Sequence, residues 1–245
     1  MVKFRFKSRC LELGARTYIM GILNVTPDSF SDGGRFFDPS AAIDHALRMA
    51  EDGADIIDIG AQSTRPGHDP VAPEQEWERL RPVLTALQDR VAVPISVDTY
   101  YPEVAKAAVD AGASIINDVS GSLENGMPEV ALSTGAGLIM MHSGDGSDDM
   151  GGGGDAIRSV RAYFERALQY SANAGLPYER ICLDPGIGFG KDRQGDLQLA
   201  ARLPELLHGL PKTAVLVGAS RKRVIASCCE NPPPPGERLA GTIAF

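Results

Sequence analysis

Residues 93–119, VPISVDTYYPEVAKAAVDAGASIINDV, show the clearest structural pattern in the chain. A short apolar run at 93–98 precedes a compact, alanine-rich segment at 102–112, and a second apolar run follows at 114–119. Runs that are apolar along their whole length are typical of strands buried on both faces, as in a parallel sheet covered by helices. The stretch therefore predicts a strand, a helix and a second strand parallel to the first.

The same alternation extends along the chain on both sides of this stretch. The predicted strands are residues 18–25, 54–60, 93–98, 114–119, 137–142, 181–184 and 214–217. Helical patterns separate them, opening at Pro39, Pro73, Pro102 and Pro128 and then running over 155–175, 197–207 and 221–229. Repeated strand–helix units at this length favour a (β/α)8 barrel of the TIM type over a doubly wound open sheet.

The domain organisation follows from the same pattern. We expect one barrel domain over residues 1–245, since no shift in composition marks a boundary. The apolar residues Phe4, Phe6, Leu11 and Leu13 predict that residues 1–13 form a hairpin at the bottom of the barrel. Only seven strands are found, and residues 237–245 are interpreted as the start of an eighth helix. The expected fold is thus an α/β barrel without its last strand in these 245 residues, because a closed barrel needs an eighth.

Composition excludes several classes of protein. A hydrophobic fraction of 43% and a charged fraction of 23% are those of a soluble globular protein. The net charge of −8 argues against a general nucleic-acid or anionic-membrane surface. Four cysteines without a CxxC pair, and four histidines without close pairing, argue against a zinc site. The N-terminus lacks the apolar core of a signal peptide, so we expect a cytoplasmic protein that does not bind membranes.

Polar side chains end the apolar runs, and this is the main indication of function. They are Asn24, Asp58, Asp98, Asn117, Asp118, His142, Asp184, Ser220 and Lys222. A single Asp or Asn there is equally well a turn former or a helix cap. A set supplied by every strand is better explained by a site, since the carboxyl ends of barrel strands meet on one face. Carboxylates, amides and a lysine suit a flat heterocycle rich in hydrogen-bonding groups.

The loops after the first two strands indicate a second ligand group. Residues 24–34 and 63–67 are rich in hydroxyl groups, glycine and arginine, which are types that hold phosphate. Asn24 and the nearby acids predict a place for Mg²⁺ against such phosphates.

Taken together, these segments resemble the dihydropteroate synthase family, the sulfonamide target of folate biosynthesis. The similarity rests on NVTPDSFSDGG at 24–34, DIGAQSTRPG at 58–67, SVD at 96–98, IND at 116–118, DPGIGFGK at 184–191 and SRK at 220–222. The resemblance implies a transferase that joins 6-hydroxymethyl-7,8-dihydropterin pyrophosphate to p-aminobenzoate with Mg²⁺. It implies two small-molecule substrates and the possibility of a homodimer.

The resemblance also implies roles for individual residues. Asp58, Asp98, Asn117, Met141, Asp184 and Lys222 would bind the pterin. Thr64, Arg65, Pro66, Phe30, Phe189 and Ser220 would bind pyrophosphate or p-aminobenzoate. Asp28, Arg65 and Lys222 are the expected catalytic residues, and Asn24 is the expected metal ligand.

The sequence departs from the family at three places. Gln62 stands where the family usually has Glu, and the His-Asn pair usual after Lys191 is absent. The family's Arg-x-His motif on the last strand is not among these residues, so we expect turnover to be weak. We expect pterin binding to persist, because Asp98, Asn117, Asp184 and Lys222 are present. A binding-only pterin paralogue, a pterin-binding methyltransferase and a Schiff-base aldolase using Lys222 are the alternatives. The Ser-Thr-Arg-Pro-Gly loop disfavours the methyltransferase.

Overall fold

The structure is a computed structural model that describes residues 1–26, 39–62, 71–144 and 155–244, apart from 227 and 230. Its strands are β1 (Val2–Phe6), β2 (Arg9–Leu13), β3 (Met20–Asn24), β4 (Ile56–Gly60), β5 (Ile95–Asp98), β6 (Ile115–Asp118), β7 (Gly137–Met141), β8 (Ile181–Asp184) and β9 (Ala214–Val215). Its α-helices are α1 (Pro39–Glu51), α2 (Pro73–Leu87), α3 (Pro102–Asp110), α4 (Met127–Thr134), α5 (Ala156–Asn173), α6 (Arg193–Ala201), α7 (Leu203–Leu207), α8 (Arg223–Ala226) and α9 (Leu239–Ala244). Short 3-10 helices lie at Tyr178–Arg180 and Pro235–Glu237.

Seven parallel strands form the main sheet, in the order in which they occur along the chain, from β3 to β9. Each neighbouring pair is parallel, and a helix connects most of them. Sequential parallel order with helical crossovers is the topology of a TIM-type barrel. The predicted α/β barrel class is therefore confirmed, and the described residues supply seven of its strands.

The first 13 residues form an antiparallel hairpin of β1 and β2. Phe4 and Phe6 on β1 are buried, and their rings meet edge to face with centroids 5.6 Å apart. They pack into a cluster with side chains from the sheet strands: Ile56, Ile115, Ile139, Cys182 and Ala214. These residues lie toward the amino ends of their strands, so the hairpin closes the bottom of the barrel.

A larger apolar core lies between the outer face of the sheet and the helices. It includes Ile57, Ile59, Val97 and Ile116 from the strands, with α2 and α5 contributing through residues such as Leu84 and Phe164. Since the strands bury side chains on both faces, they are apolar throughout their length.

The predicted helix at 197–207 is wrong in its bounds and its continuity. Helix α6 begins at Arg193, because the Asp192 side chain accepts a hydrogen bond from the Gly195 N–H at 2.7 Å and caps it. The helix then ends at Ala201 and α7 starts at Leu203, with Pro204 in its first turn. Proline favours the first turn of a new helix over the interior of a continuing one.

Within the described ranges, none of the helices has the length and apolar character that crossing a membrane requires.

Candidate functional site

Strand alternation decides which strand-end residues face the inside of the barrel. Ile56, Ile115, Ile139 and Cys182 pack on the hairpin inside the barrel. Side chains two positions apart on a strand share a face. The residues two positions further along these strands therefore also point inward, one layer nearer the carboxyl ends. They are Asp58, Asn117, Met141 and Asp184.

Asp98 joins the same level through the pairing register. It is the register partner of Gly60 on β4 and of Asn117 on β6. Asn24 on β3 is in turn the partner of Gly60, so it lies at the same height, although its side chain is exposed. Gly60 leaves room here, since a Cβ at that position would lie 3.2 Å from Asp98 Oδ2.

Hydrogen bonding inside the barrel is incomplete in a way that points to a ligand. Asn117 Nδ2 donates to Asp58 Oδ2 at 3.1 Å. In the described part of the chain, Ser96 provides a hydrogen bond to Asp58, and the buried Asn117 Oδ1 beside it has no hydrogen-bond partner. Buried polar atoms are nearly always paired in a native protein, and each exception asks for an explanation. A ligand with its own donors and acceptors supplies one.

Ser96 was not singled out in the sequence, although the signal was present. It is fully buried and is the register partner of Asp58. It lies two positions before Asp98, so it shares the inward face with that residue.

The carboxyl groups of this site are shifted toward the protonated form. Burial is the largest cause raising the pKa of Asp58, and hydrogen bonds from Ser96 and then Asn117 oppose it. The pKa of Asp98 is raised well above its ordinary value by burial first, and then by the nearby charges of Asp58, Glu76 and Asp118. Buried carboxylates this close together raise the free energy of the protein when they are charged, unless hydrogen-bond donors stabilise them. A ligand that presents N–H groups to them relieves that cost.

Asp184 and Lys222 form the other side of the site. Asp184 accepts a hydrogen bond from the Gly186 N–H at 2.7 Å. Burial raises its pKa, while this bond and the charges of Lys222 and Lys191 oppose the rise. Lys222 Nζ donates to the Ile187 carbonyl and lies 4.5 Å from the centre of the Phe189 ring. Burial lowers the pKa of Lys222, and Asp184 and Asp196 oppose that change. The structure therefore brings Asp184, Lys222 and Phe189 together.

Other strand-end residues do not join the inward group. Asp118 points to the outer face, where its carboxylate accepts hydrogen bonds from the Ser120 N–H at 3.0 Å and from Asn125 Nδ2 at 2.7 Å. Its inclusion in the predicted polar set is wrong, because the residue after an inward Asn117 must face outward. His142 is buried with its ring 5.2 Å from that of Tyr163, as in a core imidazole. Ser220 is exposed.

Five predicted site residues lie outside the described residues: Asp28, Phe30, Thr64, Arg65 and Pro66. Their expected roles therefore remain predictions.

Gln62 belongs to a buried polar network that the sequence did not reveal. Its Nε2 donates to Glu76 Oε2 at 3.1 Å, and its Oε1 accepts from the Tyr100 hydroxyl at 3.0 Å. Glu76 lies on α2, is fully buried, and has a pKa raised to about 7, chiefly by burial. In the sequence, Glu76 is one of three acids in PEQEWER and looks like part of a solvated helix face.

Metal ligands are sparse in the described ranges, where no group of three or more His, Cys, Asp or Glu side chains could hold an ion. The exposed Asn24 amide oxygen at the mouth is a hard donor of the kind that Mg²⁺ accepts. Such an ion usually keeps water and takes further ligands from substrate phosphates. The residues present fit that arrangement.

Comparison with known proteins gives consistent results. The family model described as "Pterin binding enzyme" matches residues 20–245. A dihydropteroate synthase of Synechocystis is 44% identical over 236 residues, which cover 94% of this chain and 80% of that protein.

Two solved structures of dihydropteroate synthase from Xanthomonas albilineans, each 40% identical, are also similar. The structure with 4-aminobenzoic acid has a TM-score of 0.89 and covers 99% of this chain and 87% of that one. The structure in complex with 7,8-dihydropteroate has a TM-score of 0.82 and covers 96% and 84%.

Proposed function

Because the chain belongs to the pterin-binding enzyme family, we propose that it acts as a dihydropteroate synthase. The reaction joins 6-hydroxymethyl-7,8-dihydropterin pyrophosphate to p-aminobenzoate and gives 7,8-dihydropteroate and pyrophosphate. One observation carries this proposal: the inward Asp58, Asp98, Asn117 and Asp184 converge at one mouth, where, among the described residues, the buried Asn117 Oδ1 has no hydrogen-bond partner.

The pterin ring provides the donors that these residues need. Its exocyclic amine and ring N–H groups match the oxygens of Asp98, Asn117 and Asp184, and Asp58 supports Asn117 from behind. Lys222 would donate to the carbonyl side of the ring, and Met141 would pack on its face. Such complementary hydrogen bonding explains why acids with raised pKa values are kept in an apolar barrel.

The chemical step needs no covalent nucleophile from the protein. The bond between the pterin methylene carbon and the bridging oxygen breaks, and pyrophosphate leaves with the electron pair. The p-aminobenzoate nitrogen then forms a bond to that carbon and loses a proton. The protein's task is to orient the two substrates and to stabilise the charge that develops on each side of the breaking bond.

The remaining roles concern residues near the mouth. We assign Thr64 and Arg65 to the pyrophosphate, and Pro66, Phe30, Phe189 and Ser220 to p-aminobenzoate. Asp28 would order the first loop. Asn24 would hold Mg²⁺, which when bound would neutralise charge on the leaving pyrophosphate.

The proposal extends to location and assembly. A cytoplasmic location is supported by four free cysteines, as expected in a reducing compartment. A homodimer is supported by α9, on which Leu239 and Ile243 are 57% and 78% exposed. Light scattering on the wild-type chain and on Ile243→Lys tests the dimer, since a charge in an apolar interface should give monomers.

A pyrophosphate-release assay tests the proposed reaction. With pterin pyrophosphate, p-aminobenzoate and Mg²⁺, we expect one pyrophosphate for each dihydropteroate formed, and neither product when the pterin substrate is omitted. Calorimetric titration with the pterin alone separates the alternatives. Binding without turnover would indicate a binding-only paralogue, and a folded chain with neither would overturn the proposal.

A further inference from the structure

A buried lysine that no proposed step uses lies next to the pterin site. Lys191 ends the glycine-rich loop after β8 and is only 4% exposed. Its ammonium donates to three backbone carbonyls: those of His142 at 3.0 Å, Gly186 at 2.9 Å and Phe189 at 2.8 Å. An ammonium has three donors. The carbonyls thus form a cage that fits this cation.

The backbone around the cage is folded too tightly for side chains. Gly186 and Gly190 have φ values of +65° and +63°. A Cβ at Gly186 would meet the His142 carbonyl oxygen at 2.0 Å, and a Cβ at Gly190 would meet Gly144 at 2.4 Å. The loop after β8 therefore touches the chain after β7 backbone to backbone.

This close approach explains why a cation is needed. Carbonyl oxygens that point at one place repel one another, because their dipoles are aligned toward a common point. A positive charge between them converts the repulsion into attraction, and burial strengthens that interaction. Lys191 does for these carbonyls what a bound monovalent cation would do.

The caged loop holds groups that we assign to the pterin. Its Gly186 N–H donates to Asp184 at 2.7 Å, and its Ile187 carbonyl accepts from Lys222. Its Phe189 ring lies under the Lys222 ammonium at 4.5 Å. The third caged carbonyl belongs to His142, the residue after Met141. Lys191 is thus connected to the site through the loop backbone and through its charge.

We propose that Lys191 is a positioning residue of the pterin site, an internal cation that fixes the loop presenting Asp184 and seating Lys222. The inference rests on the proposed function for the identity of the ligand. It adds a residue that need not touch substrate.

The test compares Lys191→Met, which keeps the stem and removes the charge, with Lys191→Ala, which empties the cage. The exposed Lys212→Ala is the matched control for loss of a lysine. Hydrogen exchange of the ligand-free proteins should show lost protection over residues 184–191 in both Lys191 variants and none in the control. Calorimetry should show pterin affinity reduced by about tenfold or more in both.

Chemical rescue distinguishes a positioning charge from simple packing. Ammonium or ethylammonium ions should restore loop protection and much of the pterin affinity to Lys191→Ala, because each offers N–H donors and a positive charge to the empty cage. Tetramethylammonium, which has no N–H donor, and ethanol, which has no charge, should not. If Lys191→Ala does not fold, the test rests on the comparison of Lys191→Met with the wild type and with Lys212→Ala.

Two results would overturn the proposal. One is wild-type protection and pterin affinity in Lys191→Met; the other is lost protection with unchanged affinity. A wild-type chain that binds no pterin would overturn the proposed function as well. The two failures are distinguishable, because the first concerns a variant and the second the wild type.

Discussion

Among single residues, a substitution of Asp98 has the most specific expected effect on pterin binding. Its carboxylate is the inward group at the end of β5, level with Asn117. Asp98→Asn should weaken pterin binding by about 1–3 kcal/mol, because an amide replaces a carboxyl oxygen that would accept from the ring's N–H groups. Isothermal calorimetry with the pterin substrate measures this directly. Unchanged affinity would remove Asp98 from the pocket.

Asp118 provides the matched control. It also ends a strand, but its carboxylate bonds Ser120 and Asn125 on the outer face. Asp118→Asn should therefore lower the stability of the fold and leave pterin affinity near that of the wild type. A large loss of affinity in this variant would mean that charge alone, and not contact, explains the effect at Asp98.

The contrast between these two acids shows what the sequence could predict at this scale. The ring of polar strand ends was found from the apolar runs before them, but Asn117 and Asp118 are neighbours and only one can face inward. Ile115 decides between them, since it packs on the hairpin and shares a face with Asn117. That packing depends on a contact between Phe4 and residues more than a hundred positions away. Periodicity alone does not contain it.

Glu76 predicts a pH dependence of stability. Its pKa is raised to about 7 in the folded protein, from 4.5 when exposed. The folded state therefore keeps a proton that the unfolded state loses, so stability falls as pH rises between about 4.5 and 7 and is level above that range. Glu76→Gln has no such proton. Between pH 5 and pH 8, urea denaturation should show that the free energy of unfolding of Glu76→Gln rises by about 2–3 kcal/mol relative to that of the wild type. Parallel stability curves would contradict the assignment.

Gln62 provides the companion variants. Gln62→Glu would put a second carboxyl 3.1 Å from Glu76, where two acids must share one proton. It should be destabilised most strongly above pH 7. The exchanged double variant, Gln62→Glu with Glu76→Gln, again pairs an amide with a carboxyl and should recover part of the loss.

At the scale of elements, the β1–β2 hairpin should stabilise the barrel without entering the site. Phe6 is fully buried at the bottom, at the amino ends of the strands whose carboxyl ends carry the polar groups. Phe6→Ala should cost about 3–5 kcal/mol, because a large ring is removed from a packed cluster. Urea denaturation measures the loss, and calorimetry at low temperature should find pterin affinity unchanged.

Arg5, next to Phe6 on the same strand, is the control for this element. Its Nε lies 2.7 Å from Glu179, and both side chains are about half exposed. Arg5→Ala should cost less than about 1 kcal/mol, as expected for a surface ion pair. A cost equal to that of Phe6→Ala would show that the ion pair stabilises the hairpin as much as its aromatic rings do, which contradicts this expectation.

The elements themselves were predictable to different degrees. The strand Ile181–Asp184 was found with its observed bounds, because its apolar run is bordered by polar residues. The sequence pattern does not predict the break between α6 and α7, since Leu199, Leu203 and Leu206 keep helical spacing across it. The sequence contains both Asp192 and Pro204, but the apolar spacing alone does not show that Asp192 caps one helix or that Pro204 begins another.

At the scale of the whole molecule, regular repetition made the fold predictable, and irregular loops limited the site. The seven strand–helix units repeat regularly along the sequence, and this repeat can be recognised without knowledge of any tertiary contact. The barrel class therefore follows from the sequence alone. The loop residues Asp28, Phe30, Thr64, Arg65 and Pro66 have no period. Their roles came from resemblance to a family and not from physical reasoning about their positions.

The pterin site should couple the stability of the whole barrel to its ligand. Its groups come from strands β4 to β8 and from Lys222 after β9, so one bound ring would connect most of the sheet. Pterin at a hundred times its dissociation constant should stabilise the fold by about 2.7 kcal/mol. For a chain of this size, that is a rise in Tm of about 5–10 °C.

Two comparisons make this thermal shift specific. At the same ligand concentration, Asp98→Asn should lose between about a third and about nine-tenths of the rise in Tm. Asp118→Asn should show the full rise, starting from a lower Tm. Hydrogen exchange with the pterin bound should show protection spread over β4 to β8, because each strand contributes a group to the same ring. Protection limited to one strand, with an equal shift in both variants, would place the ligand at a surface site and contradict convergence inside the barrel.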